Sequence, residues 1–215
     1  LMNDNPPELS LLETRILGTL VEKQRTVPDT YPLSVNALQA GCNQKTSRNP
    51  VMETTESEIL VALDDLKEKG WVREVSGSRV SRFEHQVEKV LGVPTQASAL
   101  LTVLMLRGPQ TAGELRLNCE RLYRFADISS VEAFLEELAA RADGALVVEL
   151  PRLPGARENR WMHLLSGQPQ IESGQASVRP VAANQDMEEL RARVTALEGE
   201  MAELRNLLRQ VVDQS

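Results

Sequence analysis

The feature that most constrains this chain is an internal repeat. Residues 34–42 and 111–119 are nine-residue segments of helical periodicity, and each begins with a hydroxyl side chain and ends with a cysteine. A β-rich run follows further along in both cases, and it ends with arginine, an aromatic residue, any residue and histidine, at 82–85 and 160–163. A recurrence of this length predicts two copies of one small domain.

The element order within each copy is predicted to be three helices followed by a β-hairpin, which is the order of a winged helix. The third helix of each copy begins at a capping-box pattern, Thr55 with Glu58 and Ser129 with Glu132. Helices are predicted at about 34–42 and 55–69 in the first copy, and at about 96–107 and 129–142 in the second. The third-helix residues predicted to face inward are Ile59, Leu60, Leu63, Leu66, Val131, Phe134, Leu135 and Leu138.

The predicted fold is therefore α+β and mostly helical, with two tandem winged-helix domains. The predicted boundaries are 9–90 and 95–166 for the domains, 167–184 for a flexible linker rich in Gly, Ser, Gln and Pro, and 185–213 for a C-terminal coiled-coil helix. The apolar heptad positions of that helix, predicted to mediate dimerisation, are Met187, Leu190, Val194, Leu197, Met201, Leu204, Leu208 and Val211. Charges at the flanking heptad positions are attractive in a parallel, in-register pair, so we expect a homodimer. The alternative is a single amphipathic helix that folds back on its own domains.

The net charge of −7 and the isoelectric point near 5.1 do not favour strong non-specific DNA binding. Each copy is nearly neutral, however, since residues 9–90 carry 11 basic and 12 acidic side chains and residues 95–166 carry 8 and 9. No apolar run approaches the ~20 residues that span a bilayer, and the first residues lack the features of a signal peptide. The two cysteines, one per copy, do not indicate a disulfide framework. We therefore expect a cytoplasmic protein that contacts no membrane.

Basic side chains concentrate in each copy at the connection between the second and third helices and at the hairpin. Arginine pairs with phosphate through forked hydrogen bonds, so we predict that these residues bind double-stranded DNA. The candidates are Lys45, Arg48, Arg79, Arg82, Arg121, Arg124, Arg152, Arg157 and Arg160. The alternative is that they pair with nearby acids such as Glu74 and Glu158. The third helices are acidic and would repel phosphate, so we do not expect them to be the main readers of base sequence.

One cysteine and one histidine recur in each copy, Cys42 with His85 and Cys119 with His163. Zinc takes three or four protein ligands, so two per domain are too few, and we interpret these residues as parts of the core. The sequence contains no phosphate-binding glycine loop, nucleophile elbow or zinc-protease motif. We expect no catalytic residues, no metal, no cofactor and no enzymatic activity.

Over nearly its whole length the chain resembles the bacterial YceH family of uncharacterised proteins. The motifs that carry the resemblance are VEKQ at 21–24, YPLSVN at 31–36, CNQKT at 42–46, PVM at 50–52, LRGPQTAGELR at 106–116 and GARE at 155–158. The resemblance implies tandem winged-helix domains and supplies no function. The paired architecture is also similar to that of the chromosome-segregation protein ScpB, whose winged helices mainly contact other proteins, but this likeness is at the level of the fold.

The leading hypothesis from the sequence is a DNA-associated regulator that binds as a homodimer. Four modules would then act together, so that avidity offsets weak single contacts. The alternative is a protein-interaction scaffold of the ScpB-like type, which the acidic third helices and the low isoelectric point favour. A ligand-sensing regulator is a third alternative, although no sequence motif defines a pocket.

Overall fold

The computed structural model describes residues 8–75 and 80–168, all of which belong to one compact unit. They form a mixed α/β protein, with about half of the described residues in helices and the strands in two small antiparallel sheets. Within these ranges, no helix is both long and apolar enough to cross a lipid bilayer. The predicted linker from residue 169 onward, the coiled-coil helix with its eight heptad positions, and Arg79 lie outside the described residues.

The described part of the first copy comprises α1 (Leu11–Thr26), β1 (Leu33–Ser34), α2 (Val35–Cys42), α3 (Glu56–Glu68), β2 (Val72–Val75), β3 (Arg82–His85) and α4 (Val87–Leu91). Hydroxyl side chains start its three long helices, because Ser10, Ser34 and Thr55 each accept a hydrogen bond from a backbone N–H of the first turn. The capping box predicted for Thr55 and Glu58 is confirmed. The short helix α4 was not predicted; it ends at Gly92, whose φ of 60° lies in the left-handed region.

The described part of the second copy comprises α5 (Thr95–Arg107), α6 (Ala112–Asn118), α7 (Ile128–Ala139), β4 (Val147–Leu150) and β5 (Arg160–His163). The capping box predicted for Ser129 and Glu132 is wrong. Helix α7 begins earlier, at the N-cap Asp127, whose carboxylate accepts a hydrogen bond of 2.8 Å from the backbone N–H of Ser130. Aspartate caps as well as serine does, and apolar periodicity does not distinguish two starts so close together.

The two sheets are organised alike around the repeated aromatic residue. Strand β3 lies between β1 and β2 and is antiparallel to both, with Leu33 opposite Phe83. In the second copy β4 pairs with β5, and an isolated bridge between Gln110 and Trp161 occupies the place that β1 has in the first copy. The structure therefore repeats at the level of strand pairing as well as of helix order.

The first helices of the two copies, α1 and α5, pack against each other at the centre of the unit. Their approach is close at Gly18, where a Cβ atom would lie 2.9 Å from the Leu106 side chain. Backbone hydrogen bonds also join the copies, since the N–H of Leu9 donates to the carbonyl oxygen of Leu165 and that of Asn49 donates to Leu106, both at 2.8 Å. The two copies therefore pack as one body.

One predicted core residue of α3 is at the surface. Leu60 is 41% exposed, whereas Ile59, Leu63 and Leu66 are buried together with Ala62. The buried stripe follows the 3-4 spacing of one helix face, and Leu60 is about 100° around the helix from Ile59. The prediction for Leu60 is therefore wrong because the stripe is narrower than the apolar sequence pattern.

Candidate nucleic-acid interface

Most of the predicted DNA-binding side chains are at least partly exposed and have no carboxylate partner within the described ranges. These are Lys45, Arg82, Arg121, Arg152, Arg157 and Arg160. Arg124 is also exposed but pairs with Glu120 at 3.2 Å. An exposed pair of this kind is worth only ~0.3–0.5 kcal/mol, so a phosphate would displace it at little cost.

Arg48 is a correction to the predicted set, because its side chain is fully buried. Its guanidinium donates to both carboxylate oxygens of Glu22, at 3.2 and 2.6 Å, and to the carbonyl oxygen of Gly41 at 3.1 Å. Burial by itself raises the pKa of Glu22, but the hydrogen bonds and charge of Arg48 lower it overall. Arg48 therefore ties the connection between α2 and α3 to α1 and is not available to DNA.

The arginines of the two strand pairs are not neutralised by the acids that the sequence placed near them. Glu74 binds a lysine of α3 at 3.1 Å, and Glu158 makes no ion pair with a residue that the structure describes. Arg82 donates at 2.8 Å to a backbone carbonyl group just before β1, and Arg152 donates at 3.3 Å to the carbonyl oxygen of Arg157. Carbonyl contacts leave the guanidinium charges of Arg82 and Arg152 without a carboxylate partner among the described residues.

The outer faces of the third helices, α3 and α7, have the opposite charge. Their exposed acidic side chains are Glu56, Glu58, Asp64, Asp65, Glu68, Glu132, Glu136 and Glu137. Carboxylates at these positions repel phosphate, and the expectation that these helices are not the main base readers stays a prediction.

A cleft of about 260 Å³ lies between the two copies, beside the C-terminal ends of α1 and α5. Corresponding positions of the copies line it. Gln44 and Arg121 each follow the repeated cysteine by two residues, while Thr26 and Arg107 are each the last residue of the first helix. Arg107 Nη2 donates to Ser47 Oγ at 2.7 Å across the junction. The repeat thus places polar and cationic groups of both copies around one space.

This cleft is positively charged. Lys23, Arg107 and Arg121 line it, and Glu22 is the one carboxylate among its lining residues. Glu22 is already bound by Arg48, and Lys23 Nζ lies 3.5 Å from it. Of the two arginines that line the cleft, Arg121 was predicted from the sequence and Arg107 was not, because a basic residue in the last turn of a helix is expected from the helix dipole alone.

The repeated cysteines and histidines lie in the core. Burial raises the pKa of the Cys42 thiol to about 11 and that of Cys119 to about 12, so both are protonated at neutral pH. Burial lowers the pKa of His85 and of His163 to about 4, so both are neutral. In the part of the chain that the structure describes, no three His, Cys, Asp or Glu side chains are grouped so as to hold a metal ion.

Comparison with known proteins places most of the chain in one family model. Residues 9–156 match the model described as protein of unknown function, DUF480. A UPF0502 protein of Dechloromonas aromatica (strain RCB) is 81% identical over 207 residues, which cover 96% of this chain and 97% of that protein. UPF0502 proteins of Burkholderia ambifaria (strain MC40-6) and Burkholderia pseudomallei (strain 668) are 58% and 57% identical, over 96% of this chain and 89% of each relative. The resemblance found in the sequence is confirmed.

Proposed function

We propose that this chain, which belongs to the DUF480 family of proteins of unknown function, is a non-enzymatic protein that binds double-stranded DNA through two winged-helix domains. The observation that carries the proposal is a set of cations at matching places in both copies that have no carboxylate partner among the described residues. Lys45 and Arg121 lie in the connection between the second and third helices, and Arg82 and Arg160 are the first residues of the returning strands. Contacts of this kind neutralise phosphates and position a protein on the duplex.

The winged-helix assignment is supported by the order of the elements. In each copy three helices precede an antiparallel strand pair, α1 to α3 with β2 and β3, and α5 to α7 with β4 and β5. A helix-turn-helix protein usually inserts its recognition helix into the major groove. The acidic outer faces of α3 and α7 oppose that arrangement, so we propose that the strand pairs and the preceding connections contact the backbone instead.

We further propose that the protein acts as a homodimer held by the heptads of the tail, residues 185–213. Each domain alone offers few cations, and its interaction with DNA is correspondingly weak. A dimer presents four domains to one duplex, and linking them makes every contact after the first intramolecular. Avidity then supplies the affinity that a chain with a net charge of −7 lacks elsewhere.

Fluorescence anisotropy of a labelled duplex of mixed sequence, measured with the full chain at low salt, tests the proposal. We expect the affinity to fall as salt rises. Changing Arg82, Arg157 and Arg160 together to Gln should weaken binding and reduce the salt slope by about one unit per lost phosphate contact. Arg73→Gln is the matched control, because Arg73 is exposed on β2 but bound to Glu84 at 2.6 Å. No binding at about tens of micromolar protein, or equal binding by the triple variant, rejects the proposal.

A second candidate function, the docking of another protein, is favoured by an exposed apolar face on α1 and α3. Val61 is 64% exposed and Leu11 is 49% exposed. An open groove of about 390 Å³ passes beside Val61, with Leu12 and Ala62 among its lining residues. Exposed apolar side chains beside a groove are typical of protein-binding surfaces.

The charge at this groove indicates the kind of partner that it suits. The ionisable side chains that line it are all acidic, namely Glu13, Glu58 and Asp65, and Lys69 binds Glu13. We propose a basic amphipathic segment of another protein as the occupant. Affinity capture after nuclease treatment separates the two functions. A partner that remains bound after nuclease treatment, and that the Val61→Lys protein no longer captures, indicates docking. Val80→Lys is the control and should still capture this partner, because Val80 is 58% exposed but lies outside the groove. Partners that disappear after nuclease treatment favour DNA binding.

A further inference from the structure

We propose that the cleft between the two copies binds a small phosphorylated metabolite. α1 and the α2–α3 connection line it from the first copy, and α5, α6 and the start of the α6–α7 connection line it from the second. Its volume of about 260 Å³ is slightly below the ~300–1,000 Å³ of pockets that enclose drug-sized ligands. A molecule of the size of a mononucleotide or a sugar phosphate is in proportion to this space, whereas a DNA duplex is not.

Two guanidinium groups supply the binding energy for the phosphate. Arg107 donates to Ser47 Oγ, which leaves most of the five N–H donors of its guanidinium for another acceptor. Arg121 is exposed and forms no ion pair within the described ranges. Arginine binds phosphate through paired hydrogen bonds, and two arginines from different elements match a dianion better than one does. The other charged residues that line the cleft are Lys23 and Glu22. Arg48 neutralises Glu22, so the cleft stays positive.

Neutral polar groups around the arginines suit the hydroxyl or amide groups of an organic ligand. Gln44 Oε1 accepts from Arg48 Nη2 at 2.9 Å, so Gln44 retains its NH₂ group as a donor. Asn118 Nδ2 donates to Gln110 Oε1 at 2.5 Å, so Asn118 retains its carbonyl oxygen as an acceptor. Thr46 adds a hydroxyl group. Donors and acceptors in one cleft discriminate among ligands that share a phosphate.

An apolar wall completes the cleft and argues for a ligand with an organic body. Its members are Val27, Val103, Leu106 and Leu122. Val103 and Leu106 are each only 3% exposed, so the floor of the cleft belongs to the core of the unit. A hydrated inorganic ion gains nothing from such a wall, whereas a base or sugar ring removes apolar surface from water by lying on it.

A ligand in this position contacts both copies at once, because the first copy contributes Gln44 and the second contributes Arg121. It therefore stabilises the packed arrangement of the copies by mass action. The inference does not rest on DNA binding. It shares Arg121 with the proposed DNA-contacting set, but the other residues that it uses belong to the cleft and to neither strand pair.

Isothermal titration calorimetry of the full chain, with adenosine monophosphate and inorganic pyrophosphate as probes, tests the proposal. We expect both to bind and to raise the melting temperature with concentration, with adenosine monophosphate binding more tightly because pyrophosphate has no organic body to lie on the apolar wall. Arg121→Gln and Arg107→Gln should each weaken binding about tenfold or more, as expected when a hydrogen bond to a charged group is lost. Arg121 is exposed, so its variant is expected to fold even if Arg107→Gln disturbs the junction. Arg152→Gln, an exposed arginine of the β4–β5 connection, is the control and should leave the affinity unchanged.

Any of three results overturns the proposal. The first is that neither probe binds at about 10 mM, and the second is that the Arg121→Gln protein binds the probes as tightly as the unmodified protein does. The third is that Arg152→Gln lowers the affinity for the probes as much as Arg121→Gln does. The same variants, tested with duplex DNA, show whether the phosphate that the cleft binds belongs to DNA or to a free metabolite. If Arg121→Gln weakens duplex binding and neither free probe binds, the cleft is part of a DNA surface and the proposal fails. If the free probes bind and no duplex does, the cleft proposal stands while the DNA-binding proposal fails.

Discussion

Replacing Arg48 with methionine removes a buried cation on which the connection between α2 and α3 depends. Arg48 donates hydrogen bonds to Glu22, to Gln44 Oε1 and to the carbonyl oxygens of Gly41 and Ser47. Methionine retains much of the apolar volume of arginine and none of its N–H donors. The variant therefore leaves Glu22, whose side chain is 19% exposed, without its main partner.

Removing one member of a buried ion pair typically costs ~3–5 kcal/mol, because the other charge is left uncompensated. Glu22 retains some access to water and a second cation, Lys23 Nζ, at 3.5 Å. We therefore expect Arg48→Met to lower the free energy of unfolding by about 3 kcal/mol, at the lower end of that range. The double variant Glu22→Leu/Arg48→Met should be destabilised by about 1–3 kcal/mol less than the sum of its single variants, because it removes both charges together.

Urea unfolding at neutral pH, followed by far-ultraviolet circular dichroism, measures these differences as shifts of the midpoint at constant slope. Arg124→Met is the matched control, since Arg124 is 83% exposed in its pair with Glu120 and its loss should cost less than ~0.5 kcal/mol. A loss below ~1 kcal/mol for Arg48→Met would refute the structural role of the pair and return Arg48 to the DNA-binding candidates.

Five other variants test the core and the helix starts. As the pH is lowered, His163 is protonated at a higher pH in the unfolded chain than in the folded protein, because its pKa is about 4 in the folded protein and its ordinary value is 6.5. The free energy of unfolding should therefore fall as pH drops from 6.5 to 4, and His163→Leu should flatten that slope in urea titrations; an unchanged slope contradicts this. Gly41→Ala should cost ~1–3 kcal/mol in thermal melts, because its Cβ would lie 2.5 Å from a threonine methyl group of α1. Gly113→Ala, with its nearest neighbour at 3.8 Å, should be neutral or stabilising. Asp127→Ala should cost ~1 kcal/mol and Ser129→Ala almost nothing; the reverse order would restore the N-cap predicted from the sequence.

Local chemistry made much of the secondary structure predictable. Helices α2, α3 and α5 lie within one residue of their predicted bounds at both ends, because hydroxyl caps and apolar periodicity are signals carried by a few neighbouring residues. Strand β1 and helix α4 were missed for the opposite reason. β1 has two residues and exists through its pairing with β3, and α4 has five residues, too few for a periodicity to show.

The candidate site was predictable only in part. The sequence identified cations at the connections and strand pairs, and Arg82, Arg121 and Arg160 have no carboxylate partner within the described ranges. Arg48 was wrongly included in the predicted set, because the sequence does not show that Glu22, 26 residues earlier, forms a buried pair with it. Burial and ion pairing depend on residues distant in the chain, so composition and spacing do not reveal which cations are free.

The sequence by itself determined that the chain contains two copies of one unit, where most of its helices begin, and that one cysteine and one histidine of each copy belong together in the pattern. Those properties follow from neighbouring residues and from the comparison of one copy with the other. Only the tertiary structure decided that α1 and α5 pack at the centre, that Arg48 is buried, and that Arg107 binds Ser47 across the junction beside a positively charged cleft. A junction between two copies is created by their packing, and neither copy alone contains the information that specifies it.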